Sequence, residues 1–253
     1  MPVSLLMRAS KWISPGVRLR VADMIGLPMT SRCDRAGPLP YTRKTVEIAG
    51  HEWPYAVWSP PVSAATDPAP VILFLHGAGE RGSDGHAPTQ VGLGPALHRF
   101  PQRFPAHVIM PQCPVGSQWS GAAEEAALRA LDETIATSGA DERRVYVIGV
   151  SMGGHGALRL ASRHQSRFAA VVAVCGWAGT NEIPGLKNIP LWLFHGKADS
   201  IVPARCSADL ATALASAGAR QVRHTEYADT GHECWDLAFA EPQLAEWLFA
   251  QSL

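Results

Sequence analysis

Ser151 stands in Gly149-Val150-Ser151-Met152-Gly153-Gly154, a serine with glycine two places before it and two places after it. A hydroxyl is a weak nucleophile near neutral pH. It does chemistry only when a histidine takes its proton and a carboxylate fixes the tautomer of that histidine. The flanking glycines suit a turn so tight that any side chain two residues from the serine would strike the neighbouring strand or helix. The setting agrees: Val145-Tyr146-Val147-Ile148 is an apolar strand-like run, and His155 to Ala161 is compatible with a helix. A serine so placed is a nucleophile elbow, with the free N–H groups of a helix N-terminus behind it. The plainer reading is an N-capping serine in an ordinary turn. The partners decide between them.

In a strand-turn-helix site of this kind the partners follow the serine in the order acid, then histidine, each on the loop after a later strand. Of ten histidines, His232 alone hangs between the last expected strand and the terminal helical run, in Asp229-Thr230-Gly231-His232-Glu233. His155 and His164 lie on the helix after the elbow, His195 ends a strand, and His76 belongs to a glycine loop. The acid is assigned to Asp199, which follows the buried run Leu191–Phe194 and a short turn. Asp229 is the second choice, since a residue three places from His232 can simply cap a turn. Anion stabilisation is assigned to the backbone N–H groups of Ala78 and Met152. Ala78 lies in His76-Gly77-Ala78-Gly79-Glu80-Arg81-Gly82 after the strand Val71–Leu75, and Met152 follows the nucleophile. A Gly-rich loop also suits a phosphate, but neither G-x-x-x-x-G-K-[ST] nor G-x-G-x-x-G is present.

The elements that must hold these residues alternate. A hairpin is expected at Thr45–Ile48 and Trp53–Trp58 around Ala49-Gly50, followed by apolar strand runs at 71–75, 108–110, 145–148, 168–174 and 191–194, with a further strand at 222–227. Helices are expected over 122–138, after Ser151, over 202–217, and as one or two helices over 235–250. Such βα alternation predicts an α/β fold with a mostly parallel sheet covered by helices on both faces. Only Gly176 to Pro190 separates two of the strands, too short for a helical lid, so an open cleft with no cap domain is expected.

A chain of 253 residues fits one such domain, read as residues 41–253 behind an N-terminal extension of residues 1–40. The extension carries Arg8, Lys11, Arg18 and Arg20 before its first acid, but its apolar cluster is too short for a secretory signal. Twenty-two basic and 22 acidic residues cancel without like-charge blocks, so nothing marks a nucleic-acid partner. No apolar run approaches the ~18 residues of a membrane span, so no integral membrane association is expected. Five widely spaced cysteines without C-x-x-C argue against a disulfide framework or a zinc site and point to a reducing, cytoplasmic setting. No metal or cofactor is expected. A homo-oligomer is left open.

Five motifs in order now carry a resemblance: Leu75-His76-Gly77-Ala78-Gly79-Glu80-Arg81-Gly82, Met110-Pro111-Gln112-Cys113-Pro114 with Trp119, the Ser151 elbow, His195-Gly196-Lys197-Ala198-Asp199, and Gly231-His232. From about Val71 to Trp235 the chain resembles the α/β-hydrolase superfamily, and within it the phospholipase/carboxylesterase, dienelactone-hydrolase-like and feruloyl-esterase-like group, with its "predicted peptidase" members. The resemblance implies an eight-stranded sheet and a hydrolytic Ser-His-Asp site. Dienelactone hydrolases use a cysteine where this chain has Ser151, and dehalogenases an aspartate, so neither activity is implied.

The expected function is hydrolysis of a small-molecule carboxylic ester through an acyl-enzyme. A peptidase or thioesterase uses the same groups, and a catalytically silent binding protein is the alternative from another class. Trp119 and Trp177 are expected to wall the substrate cleft, and Trp235 to lie nearer the core. Glu80 and Arg81 are read as a local ion pair.

Overall fold

The computed structural model describes residues 41–61 and 68–253; the extension expected over residues 1–40 lies outside them. Eight strands form one sheet in the order β1-β2-β4-β3-β5-β6-β7-β8. They are β1 Tyr41–Ile48, β2 His51–Trp58, β3 Val71–Leu75, β4 His107–Pro111, β5 Val145–Val150, β6 Ala170–Val174, β7 Leu191–Gly196 and β8 Val222–Tyr227. The pairings β1/β2 and β2/β4 are antiparallel, and all the others are parallel. The hairpin turns on Ala49 and Gly50, both at positive φ, as a two-residue turn matching strand twist requires.

Side chains alternate across the sheet and divide the core in two. Val71, Leu73, Leu75, Val145, Val147, Leu191 and Leu193 face α2 (Ala122–Ser138), α3 (Met152–Arg163) and α5 (Arg205–Ser216). Ile72, Phe74, Tyr146, Ile148, Trp192 and Phe194 face α1 (Leu93–Arg99), α6 (Trp235–Ala240) and α7 (Leu244–Phe249). Central strands covered on both faces can be apolar throughout, and β3, β5, β6 and β7 are buried at every residue. Each such leucine or isoleucine contributes about 1.5–3 kcal/mol, so the strand tips beneath the site are held rigidly.

Between β6 and β7 the chain carries only α4, Ile183–Leu186, packed on α3, and no cap forms there. Helix α5 begins at Arg205 rather than at the expected 202, because the Asp199 carboxylate takes the N–H groups of Ile201 and Val202 into a turn first. β6 begins at Ala170 rather than 168, although Phe168 and Ala169 are buried ahead of it.

Candidate active site

β5 ends in the elbow. Ser151 has φ 54° and ψ −117°, a region that side chains avoid, and such a residue persists only where its surroundings over-determine it. Here they do. The Ser151 N–H donates to Val174 O at 2.8 Å, and α3 starts at the next residue. A methyl added at Gly149 would lie 2.0 Å from Gly153 O, and one at Gly153 would lie 1.9 Å from Leu75 O. Only hydrogen fits at either place, so both glycines are required by the closeness of strand and helix.

Asp199 and His232, the candidate acid and base, come from adjoining loops laced together. Lys197 N–H donates to Tyr227 O at 2.9 Å and Ala198 N–H to Thr230 O at 3.0 Å. Gly196 passes so near that a methyl there would meet Gly231 O at 2.1 Å. This lacing brings His232 Nδ1 to 2.7 Å from Asp199 Oδ2, while His232 Nε2 lies 2.8 Å from Ser151 Oγ. Asp199 Oδ2 can only accept, so Nδ1 carries a proton, and in the neutral imidazole Nε2 is then the acceptor for the serine hydroxyl. Asp229, the second choice for the acid, stays exposed on its turn.

Each oxygen of Asp199 is occupied. Oδ1 accepts from Ile201 N–H at 2.8 Å and Val202 N–H at 2.9 Å. Oδ2 faces a second imidazole as well, His195 Nε2 at 3.1 Å. His195 is fully buried; its Nε2–H also meets Val202 O at 2.9 Å, and its Nδ1 lies 2.7 Å from the Ser207 hydroxyl. Burial pushes the Asp199 pKa up, but the bonds from His195 and His232 outweigh it and hold the carboxyl well below the usual carboxylate range. For His232, burial pushes the imidazole pKa down. The hydrogen bond and charge of Asp199, with Cys175, more than reverse this and raise it to about 9.

Two cysteines fix His232 from behind. Cys175 Sγ–H donates to His232 O at 2.8 Å, and Cys234 N–H donates to the same oxygen at 2.9 Å. Cys175 and Cys234 are both buried free thiols with sulfurs 3.1 Å apart. Donor atoms of Cys175, His195 and Asp199 lie within 4.8 Å of one another, but all three already serve the hydrogen bonds above.

The loop after β3 passes over the nucleophile: a methyl on Gly77 would lie 3.7 Å from Ser151 Cβ, and Ala78 follows it in a short 3-10 turn, Ala78–Glu80. Met152 is the first residue of α3. The loop is braced from beneath. Cys113 N–H donates to His76 Nε2 at 2.9 Å, Gln112 Nε2–H donates to Glu80 O at 2.9 Å, and Trp119 Nε1–H donates to His76 O at 3.0 Å. Burial lowers the His76 pKa to about 4, so its ring is neutral and can accept that N–H.

Three expectations change. Trp119 is not a cleft wall: only 4% exposed, it packs edge-on against His76 and supports the loop through its indole N–H. Glu80 and Arg81 do not pair. Glu80 turns inward to the Gly77 and Glu80 backbone, and burial drives its pKa up to about 7, whereas Arg81 Nη2 points at Met152 Sδ, 2.9 Å away. His195 is more than a strand terminus, since it shares the acid. The signal for that last role was present as the four-residue spacing of His195 and Asp199. Trp177 is half-buried, stacked at 4.7 Å on His155 one turn along α3 from the nucleophile. Trp235 meets His232 edge-on at 6.0 Å and packs on the α6 side of the core.

Comparison with known proteins agrees with this architecture. Residues 99–243, more than half of the chain, match the family model for phospholipase/carboxylesterase. The chain belongs to that family, within the α/β-hydrolase superfamily. A curated relative, the putative esterase NocK of Nocardia uniformis subsp. tsuyamanensis, is 31% identical over 178 residues, 64% of this chain and 49% of its own length. A solved thermostable esterase superposes with TM-score 0.76 at 30% identity, covering 84% of this chain and 63% of that one. This chain therefore spans about half of NocK and under two thirds of the esterase. An acylaminoacyl peptidase of Pyrococcus horikoshii, at 15% identity and TM-score 0.59 over 77% of this chain and 38% of its own, shares the fold.

Proposed function

We propose that this phospholipase/carboxylesterase-family chain is a serine esterase that cleaves small carboxylic esters through an acyl-enzyme on Ser151. One observation carries the reading: hydroxyl, imidazole and carboxylate stand in a single hydrogen-bonded line, 2.8 Å from Ser151 to His232 and 2.7 Å from His232 to Asp199. The esterase names of the relatives support it.

In this reading Ser151 Oγ bonds to the ester carbonyl carbon as its proton passes to His232 Nε2, and the carbonyl oxygen takes the negative charge. The N–H groups of Ala78 and Met152 receive that oxyanion; losing one such donor costs about 3–4 kcal/mol of transition-state stabilisation. The intermediate collapses, the C–O bond to the alcohol breaks, and the leaving oxygen takes the proton from His232. Water then repeats the sequence on the acyl-serine, releasing the acid and restoring Ser151. Asp199 keeps its charge throughout and stabilises the imidazolium. Trp177, flat against His155, is the side chain that would contact the acyl group.

The experiment is a panel of p-nitrophenyl esters of increasing chain length, a feruloyl ester, a thioester and a peptide anilide, with Ser151→Ala in parallel. The expected result is ester cleavage that Ser151→Ala abolishes, with mass spectrometry locating an organophosphonate on Ser151. Ester cleavage that survives in Ser151→Ala overturns the mechanism. Cleavage of the anilide or thioester alone transfers the reading to a peptidase or thioesterase.

A further inference from the structure

The arginine beside the nucleophile lacks an anion. Arg81 Nη2 donates to Met152 Sδ at 2.9 Å. A thioether sulfur is a weak acceptor, poor company for a cation. Its Nε is buried with no partner, and among the described residues no carboxylate lies within 4.0 Å of it. Arg159 and Arg163 meet Glu124, Arg144 meets Asp141 and Arg167 meets Asp132, while Arg43 and Arg103 bond backbone carbonyls, so among the described arginines the buried Nε without a partner is what distinguishes Arg81. The two nearby acids do not fill the gap, since Glu80 turns toward the Gly77 backbone and Glu233 is exposed beyond His232.

A guanidinium without a carboxylate partner, on the loop that crosses over Ser151, can pair with an anion through an N–H that is neither buried nor bonded. It touches the side chain of Met152, the residue whose N–H is assigned to the oxyanion. Resting on the esterase reading above, we infer that the preferred ester carries a carboxylate, and that Arg81 pairs with it while Ser151 attacks the ester carbonyl. A single guanidinium suits one negative charge better than a phosphate dianion.

The test compares monomethyl succinate, glutarate and adipate with neutral methyl esters of equal acyl length, and acetylated 4-hydroxybenzoate with acetylated 4-hydroxybenzamide. The first set places the carboxylate on the acyl side, the second on the alcohol side. A charge-assisted bond implies about a 10- to 100-fold preference in kcat/KM for the acidic member of at least one set, mostly through KM and weakened by added salt. Arg81→Gln is expected to remove that ratio, and Arg81→Lys to restore part of it. A readout independent of turnover is thermal stabilisation by free glutarate, expected for the wild type and absent in Arg81→Gln. The inference is overturned by equal rates for acidic and neutral esters, by equal losses on both in Arg81→Gln, or by glutarate stabilising neither protein. Neutral esters cleaved by Ser151 without any preference remove the Arg81 subsite and leave the esterase reading standing. Absence of any Ser151-dependent ester cleavage removes that reading itself.

Discussion

His195 Nε2 lies 3.1 Å from Asp199 Oδ2, the same oxygen that meets His232 Nδ1. Two imidazoles thus converge on one atom, one leading to the nucleophile and the other locked between Ser207 and Val202 O. His195 makes no contact with the reacting groups and acts through Asp199, as a positioning residue. His195→Ala frees the carboxylate to rotate, and misplacement of this order costs about 10-fold in kcat. KM is expected to stay within about twofold, because substrate contacts are untouched. His195→Gln, which keeps an N–H near the carboxylate, should recover part of the loss. Steady-state kinetics on one ester, with thermal melts to separate folding from catalysis, checks this. An equal loss in the Ala and Gln variants would leave the proposed bond without a catalytic role.

The pH profile follows from the base. With its pKa raised to about 9, the free His232 imidazole is mostly protonated at neutral pH and cannot accept the serine proton. kcat/KM should therefore climb about tenfold per pH unit from 6 to 8 and level off above 9. In Asp199→Asn burial acts without the opposing carboxylate, so the limb moves to lower pH while the rate drops about 10³- to 10⁴-fold. The stability signs differ for the two partners. His232, raised on folding, stabilises fully below about pH 6.5 and loses this as pH rises through about 9. Asp199, depressed on folding, stabilises above about pH 3.9 and loses this as pH falls. Melts across pH should show the pair's contribution greatest between about pH 4 and 6.5, and Asp199→Asn should flatten it.

The sheet and the hydrogen-bonded line of Ser151, His232 and Asp199 were legible because chain order constrains them. An elbow and an acid, each after a buried strand, and a histidine after the last, edge strand leave few choices. Helix α2 was legible to the residue, since its apolar spacing runs uninterrupted to Gly139, the left-handed cap. Helix α1 was not, because Leu93-Gly94-Pro95-Ala96-Leu97-His98-Arg99 is short and carries two residues that weaken helices. The start of α5 was obscured by a tertiary fact, the Asp199 carboxylate capturing two N–H groups. Side-chain direction was the other gap. A loop tryptophan reads as cleft-facing or inward-facing alike, and only the His76 carbonyl, 43 residues away in sequence, decides for Trp119.

Trp119→Phe separates the two roles once open to that residue. The substitution keeps most of the packing and deletes the N–H bonded to His76 O, leaving a buried carbonyl unpaired at a cost of about 1–3 kcal/mol. The loop holding Ala78 then loses a brace. The expected outcome is a fall in kcat of about 3- to 10-fold, with KM nearly constant across acyl chain lengths. A cleft wall would behave oppositely, with KM rising most for long acyl groups. An ester chain-length series run on wild type and variant distinguishes these patterns.

The elbow's glycines make a sharper stability prediction. A Cβ at position 153 would sit 1.9 Å from Leu75 O, at the end of a strand fixed on its two faces, and 2.6 Å from His76 O, in the first loop residue after it. Neither can retreat without shifting β3 and the loop over Ser151, so Gly153→Ala should cost about 3 kcal/mol or more, the upper range for overpacking. Gly231→Ala is the control. A Cβ there meets nothing within 4 Å, and its effect on stability should stay within about 0.5 kcal/mol. Urea unfolding of both variants measures the difference. If Gly153→Ala unfolds at the same midpoint as Gly231→Ala, strand and helix are not held as close at the elbow as 1.9 Å implies.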